Sequence, residues 1–544
     1  MRFWRVSGAT NVTFRHPSWC CSLWSTRLKR FDLTRGERSR ALIGEKQRTC
    51  ANWTSAEAAV HSPDSEAGKK ASVWLWGNAD DGRLGLALNR LEPDRDFGSG
   101  RRCVRPSALE PWPATVKQVA LGAAHSIVLL DNGEAFSFGL GSDGQLGLPP
   151  EALVTHPSQP PFVRSWLQHW TLDRWPWRWL RWARWTPQPV RWSQPQPRLV
   201  QVAAGAAHSV WISAQGHVYT CGRGTHGQLG HVSSGTGFST RGGGEAVRVA
   251  RSIMRPLRVE ALARANIRAV QAACGDNFTL ILADDGSVYG CGAIENGQLG
   301  LGDPDGVEQV QTGPGGQRLI STFRRLRALR GEPVAQLFAG FQAAAAILRN
   351  SGQLVIWGKV SDRIYLEPTP IPSLPGRIHK VAFGFNHILA LVESASDRRR
   401  AIYSWGSNEN GCLGFGYGSR GAYAVHSPQR IESFPGSQAT SCITDIAAGY
   451  RTSYALRQDV QTGRAYLYSW GSGLCGALGL GDRLIPEAGA GTVDMWEPVC
   501  VFDTDAAATG NAGPKAFRIV SGFQHVAMYT TSLGRTDEPP ESTT

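Results

Sequence analysis

Histidines, cysteines and a run of tryptophan and arginine are the residues of this chain whose types and spacing could do chemistry. Four histidines share one setting: Gly122-Ala-Ala-His125, Gly205-Ala-Ala-His208, Gly384-Phe-Asn-His387 and Gly522-Phe-Gln-His525. A general base or a metal ligand is needed at one site, whereas these recur with a repeating pattern, so they are read as packing or hydrogen-bonding groups. The 11 cysteines are odd in number and scattered, and none has Cys-x-x-Cys spacing, so neither a zinc site nor a redox pair is read from them. Cys221 and Cys291 stand where sister repeats carry Phe138 or Trp405, which makes them small buried hydrophobes. There is no nucleophile elbow, phosphate-binding glycine loop or paired-carboxylate motif. The chain is therefore expected to be non-enzymatic, with no catalytic residue, cofactor or metal.

Binding chemistry is better represented. The segment from Pro149 to Pro197 interleaves Trp175, Trp179 and Trp182 with Arg178, Arg181 and Arg184, and holds only two acids, Glu151 near its start and Asp173. On a helix from Pro176, Trp179 and Trp182 would share one side with arginines beside them. Such a segment suits an anionic membrane surface, where tryptophan prefers the headgroup level, or RNA bases, on which it stacks. The plainer reading is an insertion folded over the main domain. Arg324, Arg325, Arg327 and Arg330 are expected on a short helix within 321–330, and Arg398-Arg399-Arg400 in a charged hairpin turn. The formal net charge of +13 suits acidic partners in general.

What must position these residues is a repeat. Val119–Leu148 shows the unit most clearly: an apolar strand, Gly-x-x-His, a second strand, a tight turn, a third strand ending in aromatic-x-Gly, then Gly-Gln-Leu-Gly. Asn132-Gly133, Gln215-Gly216, Asp285-Gly286 and Ser351-Gly352 supply the positive φ of two-residue hairpin loops. Degenerate Gly-x-x-His copies begin at Gly275, Gly340 and Gly449, and strands ending in glycine reach Gly77, Gly139, Gly222, Gly292, Gly358, Gly406 and Gly471. Each element thus occurs seven times, but the chain opens at Val73 in the second half of a unit and closes at 519–529 with a first half. Both ends must build one blade, which removes open sheet edges. The expectation is an all-β, seven-bladed propeller over 71–533. The copy around Gly358 runs straight into Lys359-Val-Ser-Asp and should have a shortened connection.

Residues 1–70 lack the pattern. No acid precedes Asp32, while Arg2, Arg5, Arg15, Arg27, Lys29 and Arg30 are spread among Ser, Thr, Trp and Phe. That bias is expected of an unstructured organelle-targeting leader, mitochondrial by first choice, with plastid, cytoplasm or nucleus as alternatives. Residues 534–544 are read as an unstructured tail. No run of eighteen or more apolar residues is present to span a membrane as a helix.

The Gly-x-x-His, Trp-Gly and Gly-Gln-Leu-Gly punctuation resembles that of the regulator of chromosome condensation repeat family. The resemblance covers about 71–533 and implies a propeller of four-stranded blades with circular closure. It also implies a protein-interaction scaffold; some mitochondrial members are associated with ribosome assembly, respiratory-chain assembly or an inner-membrane GTPase. The alternative implied is guanine-nucleotide exchange on a small GTPase, the activity of the family's nuclear founder. Gly275-Asp276-Asn277 resembles one acidic loop of that founder, which makes Asp276 and Asn277 candidate partner-binding residues, but 293–302 reads as a plain repeat without a wedge. The tryptophan motif of the plant ultraviolet receptors is replaced here by Phe385, Tyr450 and Phe523, so that function is not expected.

Overall fold

A computed structural model of the chain describes residues 72–532, with breaks chiefly at 94–100, 153–182, 240–247, 417–422, 435–440, 482–493 and 505–514. These residues belong to the second of two compact units, His61–Thr544; the leader and the tail lie outside the described residues.

Seven antiparallel sheets follow one another, each packing its innermost strand on that of the next. Blade 1 has the order Val116–Leu121, His125–Leu130, Ala135–Leu140, Ala183–Pro189 from inside to outside. Blades 2 to 6 begin at Leu199, Ala269, Val334, Arg377 and Ser441 in the same order. Blade 7 takes Lys515–Ser521 and His525–Ser532 from one end of the chain and Val73–Asn78 and Arg101–Ala108 from the other. Val73 pairs with Tyr529 and Gly77 with His525, so the closure expected from the phase shift is present. The second strands are mostly buried, fully so in HSIVLL of blade 1, because both of their faces meet neighbouring blades.

Three sequence expectations need correction. The hairpin loops of blades 1 to 3 have three residues and that of blade 4 has four, Arg349 to Gly352: in Asp131-Asn132-Gly133 the Gly133 N–H donates to Leu130 and the Leu130 N–H to Glu134. That is a type I turn followed by a left-handed glycine, here at φ 87°, a bulged hairpin in place of the two-residue form. The segment 321–330 is mainly the outer strand Arg318–Arg325 of blade 3, followed by a single 3-10 turn, Arg327–Leu329. Finally, the insertion is shorter than Pro149 to Pro197, since Ala183–Pro189 is the fourth strand of blade 1. Trp185 is buried there, and Trp192 packs edge-on against Trp211 and Tyr219.

That fourth strand carries its own repeat. Pro106, Pro187, Pro256, Pro368, Pro428 and Pro498 recur on six of the seven outer strands, at the irregularity where the strand steps past the third-strand glycine. An edge strand tolerates the missing N–H, and Pro106, Pro256 and Pro368 rest against Gly479, Gly147 and Gly300 of the preceding blade's turn. The expected shortened connection is found in blade 4, where only Ser361 and Asp362 join Leu354–Val360 to Arg363–Pro370.

Hydrogen-bonded side chains tie the innermost strands. Gln118, Gln201 and Gln271 each donate to a carbonyl and accept from the same residue's N–H, at Val202, Ala272 and Leu337 of the next blade, over 2.7–3.0 Å. Lys380 holds the buried Asp445 at 2.6 Å, and Asp445 in turn accepts from the Ile519 N–H at 2.9 Å. The arginine tip of blade 5 is internally neutralised, with Arg398 and Arg400 on Glu393, as a charged turn should be.

Candidate partner-binding face

The Gly-x-x-His loops converge on the propeller axis. A Cβ on Gly205 would lie 2.1 Å from His208 Cε1 and 2.5 Å from the Gly275 carbonyl oxygen, so glycine is required by the histidine ring and by the neighbouring loop. No strained φ is involved. The corresponding position in Gly384 lies 2.0 Å from His387 Cε1.

Each histidine latches its blade to the next. Nε2 of His125, His208, His387 and His525 lies 2.8–3.1 Å from the hydroxyl of Ser209, Thr279, Ser453 and Ser126. Those hydroxyls donate onward to carbonyls of Gln145, Gln228, Cys412 and Arg83 in the preceding blade's glycine turn. An O–H already committed to a carbonyl must accept from the ring, so Nε2 carries the proton. Among the described residues Nδ1 of His125, His208 and His525 then has no hydrogen-bond partner, and burial holds His125 and His208 down to about 3 and His387 to about 4, with His525 well below the usual range. These rings are neutral structural donors. Where the histidine is replaced, by Phe278, Ala343 or Thr452, the next blade has Ala344, Ile388 or Val526 in place of the hydroxyl. Latch and keeper are lost together, which is the sequence signal that the pattern of histidines alone does not reveal.

The residues between glycine and histidine line the channel mouth, and they are unevenly distributed. Blades 1 and 2 contribute Ala123 and Ala206, and blade 3 contributes Asp276. Blades 4 to 7 contribute Phe341, Phe385, Tyr450 and Phe523. The four rings form one cluster: Phe341–Phe385 at 5.4 Å, Phe385–Tyr450 at 4.9 Å, Tyr450–Phe523 at 4.5 Å and Phe341–Phe523 at 5.5 Å. All but Tyr450 are only half-buried, so large aromatic area reaches solvent where a partner could cover it. The Arg451 guanidinium stands 5.1 Å over the Tyr450 ring and pairs with Glu409 at 2.9 Å, which holds a charge at the rim.

Asp276 sits beside this cluster, its backbone N–H donating to the Phe341 carbonyl at 2.9 Å. Desolvation pushes its carboxyl up to about 7. Asn277 is half-buried next to it, and its carbonyl accepts from Ala293. The other predicted binding residues are not brought to this face: Arg184 lies on the outermost strand of blade 1, and Trp175, Arg178, Trp179, Arg181 and Trp182 lie outside the described residues. The aromatic cluster itself was legible only as variable positions inside the Gly-x-x-His copies.

Cys221 and Cys291 are fully buried and bond the Gly144 and Gln228 carbonyls, with burial raising both thiols. Among the described residues, no group of three His, Cys, Asp or Glu is placed to hold a metal, and no helix is long and apolar enough to cross a membrane.

Profiles of the regulator of chromosome condensation (RCC1) repeat match residues 132–169, 215–282 and 401–456, and, in a second form, 116–145, 199–228 and 269–298. The chain is 28% identical over 429 residues to the ultraviolet-B receptor UVR8 of Arabidopsis thaliana, covering 77% of this chain and 75% of the receptor. Human WBSCR16 superposes with a TM-score of 0.60 at 21% identity, over 85% of this chain and 100% of that one. Prp20p of Saccharomyces cerevisiae, described with its binding to Gsp1p and histones, gives 0.58 at 19% identity over 89% and 97%. At those identities the two structures speak for the fold alone. With seven blades, a shared closing blade and the repeat matched in several of them, the chain belongs to the regulator of chromosome condensation repeat family.

Proposed function

We propose that this propeller is a non-enzymatic scaffold for assembly or regulation in mitochondria, and that the channel mouth formed by blades 3 to 7 is where its protein partner docks. The observation that carries the reading is the cluster of half-buried Phe341, Phe385 and Phe523 around the buried Tyr450, beside Asp276 and Arg451. Aromatic anchors with a charged rim are the usual composition of a binding hot spot. The histidines that would suit catalysis are consumed in latches and held neutral. The acid-poor leader supports the mitochondrial location.

The test uses the full-length protein with a C-terminal tag in its own cells. Organelle fractionation and recovery of bound proteins should give an N-terminally shortened chain in mitochondria, together with ribosomal or inner-membrane proteins. Phe385→Ser with Phe523→Ser should lose those proteins without loss of fold. Full-length recovery in the nucleus would overturn the location, and unchanged partners in the double variant would overturn the face.

Guanine-nucleotide exchange is the second reading, and Asp276 favours it. A carboxyl on the rim whose proton is held to near neutrality can enter a GTPase's nucleotide site with little desolvation cost. Release of a fluorescent GDP from a recovered GTPase, accelerated by the protein and not by Asp276→Asn, would establish exchange in place of scaffolding.

A further inference from the structure

The ring has one junction built unlike the others. Between blades 4 and 5 the glycine turn is missing, because Ser361 and Asp362 join the strands directly. Gln336, at the position of the clamping glutamines, is exposed and makes no clamp, and Ala343 faces Ile388 in place of a histidine latch. Among the described residues, the only side-chain polar contact seen across this seam is an exposed His426–Asp362 pair at 3.7 Å.

At the other junctions, a glycine of the turn sits on the next blade's outer strand. A Cβ on Gly297 would strike the Tyr365 carbonyl at 2.5 Å, one on Gly144 the Ile253 carbonyl at 2.4 Å, and one on Gly411 the Trp496 Cα at 2.8 Å. Carbonyls of the same turns receive the indole N–H of Trp76, Trp357 and Trp470 at 2.8–3.0 Å. Trp405 occupies that place in blade 5. It is 3% exposed, and its indole N–H has no acceptor among the described residues. A shallow, open notch lies where the turn would begin, lined by Phe341, Gln342, Lys359, Val360, Phe383 and Asn386 among others. Lys359 is the only charged residue lining the notch, and no ion pair is formed by it among the described residues.

We propose that this seam binds a glycine-containing β-turn of a partner protein, with an acidic side chain beside the glycine. The turn replaces the one blade 4 lacks: its carbonyl accepts from Trp405, its glycine lies on the outer strand Ala424–Arg430, and its acid meets Lys359. The proposal rests on the channel-mouth reading and adds to it a second, narrower contact with its own chemistry.

The probe is a disulfide-closed peptide copying residues 293–301, Ala-Ile-Glu-Asn-Gly-Gln-Leu-Gly-Leu, the turn of blade 3. The full chain carries 5-fluorotryptophan, and Trp405→Phe assigns the resonance. A saturable shift of the Trp405 signal is expected, about tenfold weaker with Lys359→Glu and restored when the peptide's glutamate becomes lysine, since an ion pair desolvated on binding is worth about a factor of ten. Replacing Ser361-Asp362 with residues 224–230 rebuilds the missing turn and should abolish the shift while thermal stability is kept or raised. A Trp405 signal unmoved at millimolar peptide, or moved equally in the rebuilt chain, overturns the proposal. Concentration-dependent self-association that the rebuilt turn removes would also overturn it, by assigning the notch to a second copy. If the cellular partner is lost with Phe385→Ser and Phe523→Ser but kept in the rebuilt chain, the seam is refuted and the channel-mouth reading stands.

Discussion

Replacing His208 with glutamine removes one proton-binding group from the unfolded chain while leaving a donor that can still reach Thr279. In the folded protein the ring is fully buried and held down to about 3, against about 6.5 when unfolded. The unfolded chain therefore binds the proton more tightly, so acid favours unfolding; the loss begins as pH falls through the unfolded value and is complete near the folded one. Between pH 7 and pH 5.5 the linkage is worth about 1.2 kcal/mol for this single residue, since the unfolded imidazole goes from mostly neutral to about ten-to-one protonated. Urea unfolding of the full chain, followed by tryptophan fluorescence, measures it. His208→Gln should be less stable than the wild type at pH 7, because an amide fills the imidazole site poorly. That deficit should shrink by about 1.2 kcal/mol at pH 5.5. A deficit independent of pH would refute the neutral-latch assignment, because it would mean that the ring titrates freely in the folded state.

Gly384→Val should destabilise blade 5 by several kcal/mol, roughly 3 or more, because its Cβ would occupy the place of the His387 ring; unchanged thermal stability would remove the steric argument. Replacing residues 153–182 with a flexible linker of about ten residues should leave the melting temperature nearly unchanged, whereas deleting Pro149 to Pro197 should abolish folding because it removes the fourth strand of blade 1; circular dichroism on both deletions separates the cases. Asp276→Asn should raise the melting temperature at pH 8 more than at pH 5, since a carboxyl raised by burial opposes folding by an amount that grows as pH climbs from the unfolded value to about 7.

The inner three strands of every blade were legible because their glycines and apolar runs are local demands of turns and of two-sided burial. The fourth was not. Ala-Arg-Trp-Thr-Pro-Gln-Pro reads as the end of a basic, tryptophan-rich insertion, and two prolines argue against a central strand, yet on an edge they cost no ladder hydrogen bond. The recurrence of Pro106, Pro187, Pro256, Pro368, Pro428 and Pro498 was the available signal. The segment 321–330 misled for a related reason: Arg318–Arg325 is an edge strand, where polar residues are tolerated on exposed positions and no clean alternation remains. The latches depend on which residue follows the histidine of the next blade, a pairing across 66 to 84 residues in three blades and 399 in the closing one, which only the ring brings together. The aromatic cluster has the same origin, since its members come from four blades.

The pairing of Val73 with Tyr529 also has a consequence for how the protein is made. The first described strand completes its sheet with the last described one, so blade 7 cannot form until His525–Ser532 has been made, and contacts this distant in sequence form slowly. Until then both flanks of the growing array expose unpaired strands. The nascent chain is thereby kept unclosed for as long as Lys515–Ser532 is missing, a state suited to chaperone capture or passage through a narrow channel, and one that a truncation before Lys515 would make permanent.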